Sequence, residues 1–297
     1  VAQLADHRKV GRYAAERALS RLNPQTVITG QYPILFEAPV ALGLMRAWVA
    51  AVSGGALYRG NTFLQKSIET QVFSDHISID ENPFINGANA SRWFDDEGVA
   101  TQARTVVNQG VLQGYFLSTY SAKKLGMQTT GNAGGAHNLH LKSATTKKTD
   151  DLVSLIRSMD RGVLITELMG DGINRVTGDY SRGASGYWVE HGVIQYPVAG
   201  ITIAGNLKDM FKQIVKVGSD VFNSGAYSSG SILLEEMMYQ TEYAQAQKEA
   251  MTKATAAMQA NQDAQFKAAL DKNPLGRQRY NEELAKMNKL EQSYRKT

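Results

Sequence analysis

The chain has 297 residues, a formal net charge of +4 and no cysteine. That length allows one large domain or two ordinary ones, and a hydrophobic content of 43% can fill a core. The absence of cysteine excludes a disulfide framework, any Cys-ligated zinc or iron–sulfur site and a Cys nucleophile.

The charge is uneven. Residues 1–237 carry 22 Lys+Arg against 21 Asp+Glu, and residues 238–297 carry 10 against 7. A nearly neutral body has no basic field of the kind nucleic-acid binding needs, so no nucleic-acid partner is expected. No apolar run approaches the ~18 residues of a spanning helix, and no membrane partner is expected either. The first twenty residues lack the apolar stretch of a secretion signal. The chain does not begin with Met and is expected to be a fragment or a processed product.

In chain order, residues 10–22 predict a helix, with Val10, Ala14, Ala18 and Leu22 at four-residue spacing. Asn23-Pro24 ends it. Residues 26–28 and 34–36 are short strand candidates. Residues 39–52 form a second predicted helix, apolar apart from Arg46, and a helix apolar nearly all round is expected in a core. A strand is predicted over 72–79 and a loop over 83–89. Val106-Val107, Asn108-Gln109-Gly110 and residues 111–117 read as a hairpin. Residues 121–125 make a short helix closed by Gly126. Residues 128–136 read as a polar, glycine-rich loop or irregular strand.

Thr149 or Asp150 is expected to cap a helix running to Met159, with Leu152, Leu155, Ile156 and Met159 on one face. Strands follow at 163–168, 173–177, 186–190, 193–196 and 201–203, with His191-Gly192 as a turn. Residues 206–217 predict an amphipathic helix, and 231–235 a last strand. Strands in runs with a few helices argue for an α+β fold: a curved antiparallel sheet or partial barrel around the buried apolar helix. Twenty-six of the 27 glycines precede residue 238, so the boundary is placed at about Met237–Tyr239. The glycine-poor tail of 238–297 predicts two helices, about 239–270 and 277–295, broken at Asn273-Pro274-Leu275-Gly276.

Candidate chemistry is sparse. His137 and His140 can share a metal on a helix or face opposite ways on a strand, and the strand reading makes them a polar strand end. Asp95, Asp96 and Glu97 can hold a hard cation only with further oxygen ligands, and otherwise form a solvated turn. Gly131 to Gly135 can cradle an anion, but lack the residues that complete a P-loop, so a close backbone approach is expected. Ser53 and Ser181 are not in a GxSxG elbow. Glu167 and Asp171 can pair as acid and base, although nothing in the sequence favours it.

Six ordered segments carry a resemblance: FDDEGVAT (94–101), GVLQGYFLS (110–118), KLGMQTTGNAGGAHN (124–138), GVLITELMG (162–170), VTGDYSRG (176–183) and IAGNL (203–207). Together they resemble the C-terminal domain of the TldD/PmbA family, on its PmbA (TldE) side, from about Val10 to Met237. The family's N-terminal domain has no counterpart here, nor has the tail any counterpart in the family. The resemblance implies a cytoplasmic zinc metalloprotease of two kinds of subunit, which cuts unfolded peptides, matures microcin-type antibiotics and degrades an antitoxin. It implies that the TldD side carries the zinc on an HExxxH helix with a Cys ligand, equivalent here to residues 40–52.

Residues 38–68 contain no His, Asp, Glu or Cys. The expectation is therefore a non-catalytic subunit with no catalytic residue, no metal and no cofactor of its own, zinc residing in a TldD-like partner. A homodimer is the other expected partnership. Unfolded peptides are expected to add as a strand at edges near Gln128, Thr129, Thr130, Gly131 and Asn132, and near Asn174 and Val176 within 173–177. Alternatives are an independent peptide-binding scaffold, or a hydrolase built on His137, His140 or residues 95–97.

Overall fold

The computed structural model describes residues 6–241 and, beyond them, Gln259. The described residues form a mixed α/β fold of six helices and two sheets. The helices are α1 (His7–Leu19), α2 (Ala38–Ala51), α3 (Gly54–Tyr58), α4 (Thr119–Leu125), α5 (Leu152–Met159) and α6 (Leu207–Lys212). None of them is long and apolar enough to cross a membrane.

Five strands close a barrel. They are β1 (Gly30–Phe36), β6 (Gly162–Met169), β7 (Asp179–Glu190), β8 (Val193–Asn206) and β12 (Ile232–Thr241), in the order β1-β6-β7-β8-β12 and back to β1. The closing ladder is antiparallel, with Gly30 opposite Tyr239 and Phe36 opposite Ile232. β1 runs parallel to β6, with Ile34 opposite Val163. β9 (Ile214–Val217) pairs with the end of β12. Where a curved antiparallel sheet or a partial barrel is expected, the structure has a closed barrel with one parallel seam.

The second sheet has the order β10 (Phe222–Ser224), β11 (Tyr227–Ser229), β5 (Leu139–Ser143), β2 (Ile77–Glu81), β3 (Arg104–Asn108), β4 (Val111–Leu112). Helix α2 packs against β6 of the barrel and against β10 and β11 of this sheet. The barrel does not wrap around it. Its buried side holds Leu42, Leu44, Met45 and Trp48, while Pro39 and Arg46 stay exposed. Trp48 meets Phe73 and Phe116 edge-on, with ring centroids 5.7 and 5.8 Å away. Alternation along β1 divides the core: Ile34 and Phe36 join the main cluster, and Leu35 joins Leu155, Ile156 and Met159 under α5.

Local signals placed several elements well. Helix α4 carries a Ser118/Ser121 capping box and ends on Gly126, and α5 is capped by Asp151, one residue beyond the expected pair. Helix α1 starts earlier, at His7, because the Asp6 carboxylate accepts from the Arg8 and Lys9 amides. It buries none of its own residues and is held by the Arg17–Glu37 ion pair at 2.7 Å.

Other expectations are corrected. The strand expected over 26–28 is absent, and only Gln25 bridges, to Val198. The strand expected over 72–79 begins at Ile77, since the Val72 and Phe73 amides both donate to Gly110 O. The second hairpin strand stops at Leu112. The helix expected over 206–217 ends at Lys212, because Ile214 and Val217 pair with Leu234 and Ile232 of β12. Residues 193–196 and 201–203 belong to one strand, β8, whose ladder with β7 absorbs two register shifts. Residues 173–177 form a turn, where Asn174 Oδ1 accepts from the Val176 and Thr177 amides at 3.0 and 3.3 Å. β12 runs through Tyr239 to Thr241, where a tail helix is expected to begin; apart from Gln259, the rest of the expected tail helices lies outside the described residues.

Candidate functional site

The loop after α4 is clamped to the second sheet by a polar network. Glu81 on β2 accepts from Arg104 Nε on β3 (2.7 Å), from Asn132 Nδ2 (2.7 Å) and from the His137 amide (2.8 Å). Arg104 Nη2 donates to Asn132 Oδ1 at 3.0 Å, and its guanidinium lies 5.1 Å over the Phe116 ring. Asp95 Oδ1 accepts from the Glu97 and Val99 amides, and Oδ2 accepts from the Ala133 amide, all at 2.9 Å. Buried acids in such a network are satisfied by fixed donors instead of water.

Burial alone pushes the Asp95 carboxyl up from 3.8. The backbone donors from Ala133, Val99 and Glu97, with the nearby His137, outweigh it and hold the group below 3.8. A depressed folded value contributes stability above the unfolded value, lost as pH falls through the folded one. Asp95→Asn is therefore expected to cost about 1–3 kcal/mol at pH 7, because its amide oxygen cannot serve three donors. Urea unfolding at pH 7 and pH 3 checks this: the gap between native and variant narrows below about pH 4.

The network decides what the predicted loop residues can do. Gly131 is buried at φ +67, and a Cβ there would lie 2.8 Å from Ala100 O, so this is a close backbone approach. Thr129 Oγ1 and the Thr130 amide donate to Leu117 O at 3.1 Å. Asn132 is buried and spends its amide on Glu81 and Gly135 O. Gln128 alone of the five is exposed. Asn174 is committed to its turn, and Val176 points out of it, exposed.

The other candidates are separated. His137 Nε2 lies 2.9 Å from Gly131 O, and His140 Nδ1 lies 3.0 Å from Ser228 Oγ. Burial, then Lys142, lowers the His140 pKa from 6.5 against the pull of Asp80. Glu97 accepts from the Thr119 amide, Asp96 pairs with Arg92, and Glu167 pairs with Arg21. Asp171, which nothing in the sequence tied to Glu167, lines a different feature.

That feature is a groove of about 240 Å³ beside α2, absent from the sequence reading. Gly43, Ala47 and Ala50 of α2 are among its apolar lining, with Phe63 and Ile173; Arg46, Arg175, Arg182 and Asp171 supply its charge. Thr62 Oγ1 donates to Ala51 O at 2.6 Å, and the Phe63 amide donates to Arg175 O at 3.2 Å. These two bonds tie the 173–177 turn to the end of α2. No residue of 128–132 lines the groove, so the fold brings the two predicted substrate segments to different places.

Zinc is the metal that the resemblance implies for the family. It needs His, Cys or carboxylate donors. The groove side of α2 offers none, and Arg46 stands there instead. Among the described residues no three His, Asp or Glu side chains converge to hold a metal ion. The residues present do not fit zinc.

Comparison with known proteins agrees with the fold. The PmbA/TldA metallopeptidase C-terminal domain family matches residues 29–241. "Metalloprotease PmbA homolog" of Haemophilus influenzae is 49% identical over 228 residues, 77% of this chain and 50% of that protein. The chain thus spans about half the length of the curated relatives it matches. A Thermotoga maritima crystal structure, described as a candidate modulator of a DNA gyrase, superimposes with a TM-score of 0.73 at 34% identity, over 79% of this chain and 55% of that one. TldE from Thermococcus kodakarensis shares the fold, with a TM-score of 0.68 at 22% identity over 78% and 55% of the two chains. From its barrel strands to its loop motifs, this chain belongs to the PmbA/TldA metallopeptidase C-terminal domain family.

Proposed function

We propose that this chain is a non-catalytic subunit of a TldD/PmbA-type zinc metalloprotease, which holds unfolded peptides for a TldD-like catalytic partner in the cytoplasm. The observation that carries this is the chemistry of α2. Where the resemblance puts the partner's zinc motif, residues 38–68 have no His, Asp, Glu or Cys. Lewis-acid hydrolysis needs ligands and an acid/base beside the metal, and an arginine there repels a cation.

In this reading the family domain runs through β12 to Thr241, four residues beyond the boundary expected from glycine content. Gln128 and Val176, both exposed, can meet a peptide directly. Thr129, Thr130, Gly131, Asn132 and Asn174 hold them in place through the bonds described above. Substrates are extended peptides, of the kind that microcin maturation or antitoxin turnover supplies by resemblance, bound mainly through main-chain hydrogen bonds.

Peptide hydrolysis by this chain alone, and mixed with a matched TldD-like protein, tests the proposal, with zinc quantified in each. The expected result is no cleavage and no stoichiometric zinc alone, with faster cleavage in the mixture. Cleavage by the chain alone with one bound zinc overturns it.

A further inference from the structure

The geometry points to a second property of the groove beside α2: it is a carboxylate site that takes a free carboxylate of an extended peptide. This rests on the peptide-holding role proposed above. Three guanidinium groups, Arg46, Arg175 and Arg182, line the groove against one carboxylate, Asp171. Asp171 makes no ion pair with any of them among the described residues, so the excess positive charge is not neutralised internally.

The arginines are held by their backbones or by one edge, and keep donors to spare. Arg182 Nη2 donates to Gly170 O at 2.6 Å, which fixes the side chain, and its guanidinium also lies against the buried Tyr180 hydroxyl. Arg175 sits on the Asn174 turn with its carbonyl bonded to the Phe63 amide, yet its side chain has no hydrogen bond or ion pair among the described residues. Arg46 Nη2 reaches Ser224 Oγ at 3.3 Å, and its guanidinium lies 5.5 Å over the Tyr227 ring, at one edge of the lining.

Planar guanidinium forks match a carboxylate in two-point hydrogen bonding. The remaining lining is apolar, with Phe63 and Ile173 beside the small residues of α2, which suits the side chain next to that carboxylate. At about 240 Å³ the groove is below the roughly 300–1,000 Å³ of sites that enclose drug-sized ligands, so it fits a chain end or one side chain.

The test is isothermal titration calorimetry on the full chain alone, with three N-acetylated pentaalanine peptides: free acid, C-terminal amide, and C-terminal amide with a central aspartate. The proteins are the native chain, Arg175→Gln and Arg182→Gln. Arg175→Gln breaks no side-chain bond, so it is expected to fold, with melting as the check. The free acid is expected to bind about tenfold tighter than the plain amide, the loss of one charge-assisted contact. Arg175→Gln is expected to bring the two within about twofold.

If the aspartate amide binds as tightly as the free acid, the carboxylate site stands and its source is a side chain. Equal binding of acid and plain amide, no binding by any peptide, or an acid preference untouched in both variants overturns the proposal. Competition by inorganic phosphate without any acid preference does so too. Because no partner is present, a chain that prefers acids yet never enhances cleavage keeps the groove assignment and loses the subunit role.

Discussion

Gly186→Ala is expected to destabilise the barrel by about 3 kcal/mol or more. A Cβ at this position would lie 1.8 Å from Leu164 O, 2.9 Å from Leu164 C and 3.1 Å from Ile165 Cα. All three are backbone atoms of β6, so no side chain can swing aside. Nor can β7 back away, because β8 holds its other edge with Gly186 opposite Val198, and the barrel is closed. Both ladders shift register around this residue, between Ile165 and Glu167 on one side and between Ala184 and Gly186 on the other. The strands therefore pass closest where only glycine fits. Gly183→Ala on the same strand is the control, since its Cβ would meet Met169 Cβ at 3.4 Å, an ordinary contact. It is expected to stay within about 1 kcal/mol of the native chain. Urea midpoints at unchanged slope measure both, and equal losses for the two variants would mean that β6 and β7 can part.

Arg104→Met is the second large effect, expected to cost about 3–5 kcal/mol by stranding Glu81. The Glu81 side chain is 1% exposed, against 21% for Arg104, so solvent cannot replace the lost cation. Asn132 Nδ2 and the His137 amide would remain on the carboxylate, but neither carries the compensating charge. The same substitution removes the Arg104 Nη2 donor to Asn132 Oδ1 and the cation over Phe116. The loss is therefore expected to loosen residues 128–137 before the rest, seen as faster amide exchange there. Arg104→Met combined with Glu81→Gln is expected to recover part of the stability, because the buried charge is gone. A double variant no better than Arg104→Met would show that Arg104 acts through packing on Phe116 and not through charge.

These two sites also show why parts of the molecule were illegible in the chain order. Glu81 and Asn132 are 51 positions apart, and Glu81 and His137 are 56 apart. Nothing local marks them as partners, and the glycine-rich stretch at 131–135 read as a close backbone approach without showing to what. Once β2, β3 and β5 pair, Glu81 lies opposite Leu139 and Arg104, and the network follows. The groove was invisible for the same reason. Its lining comes from α2, from Phe63 and from residues 171–182, three segments joined by a turn that the apolar letters of Ile173 and Val176 disguise as a strand.

Ile214 and Val217 show the reverse error. Their three-residue spacing fits the preceding helix; in a regular strand it puts the two side chains on opposite faces, yet β12 pairs with both across a register shift between Leu233 and Leu234, and that long-range ladder decided. By itself, then, the sequence determined what short-range physics controls. It marked α2, the β3–β4 hairpin, the Gly126 stop and the absence of any zinc donor over 38–68, since caps, turn residues and donor sets are written in neighbouring letters. Barrel closure, the buried Glu81–Arg104 pair and three arginines around one groove were decided only by the tertiary structure, because each depends on which distant backbones hydrogen-bond, and that choice is made by the packing of the whole core.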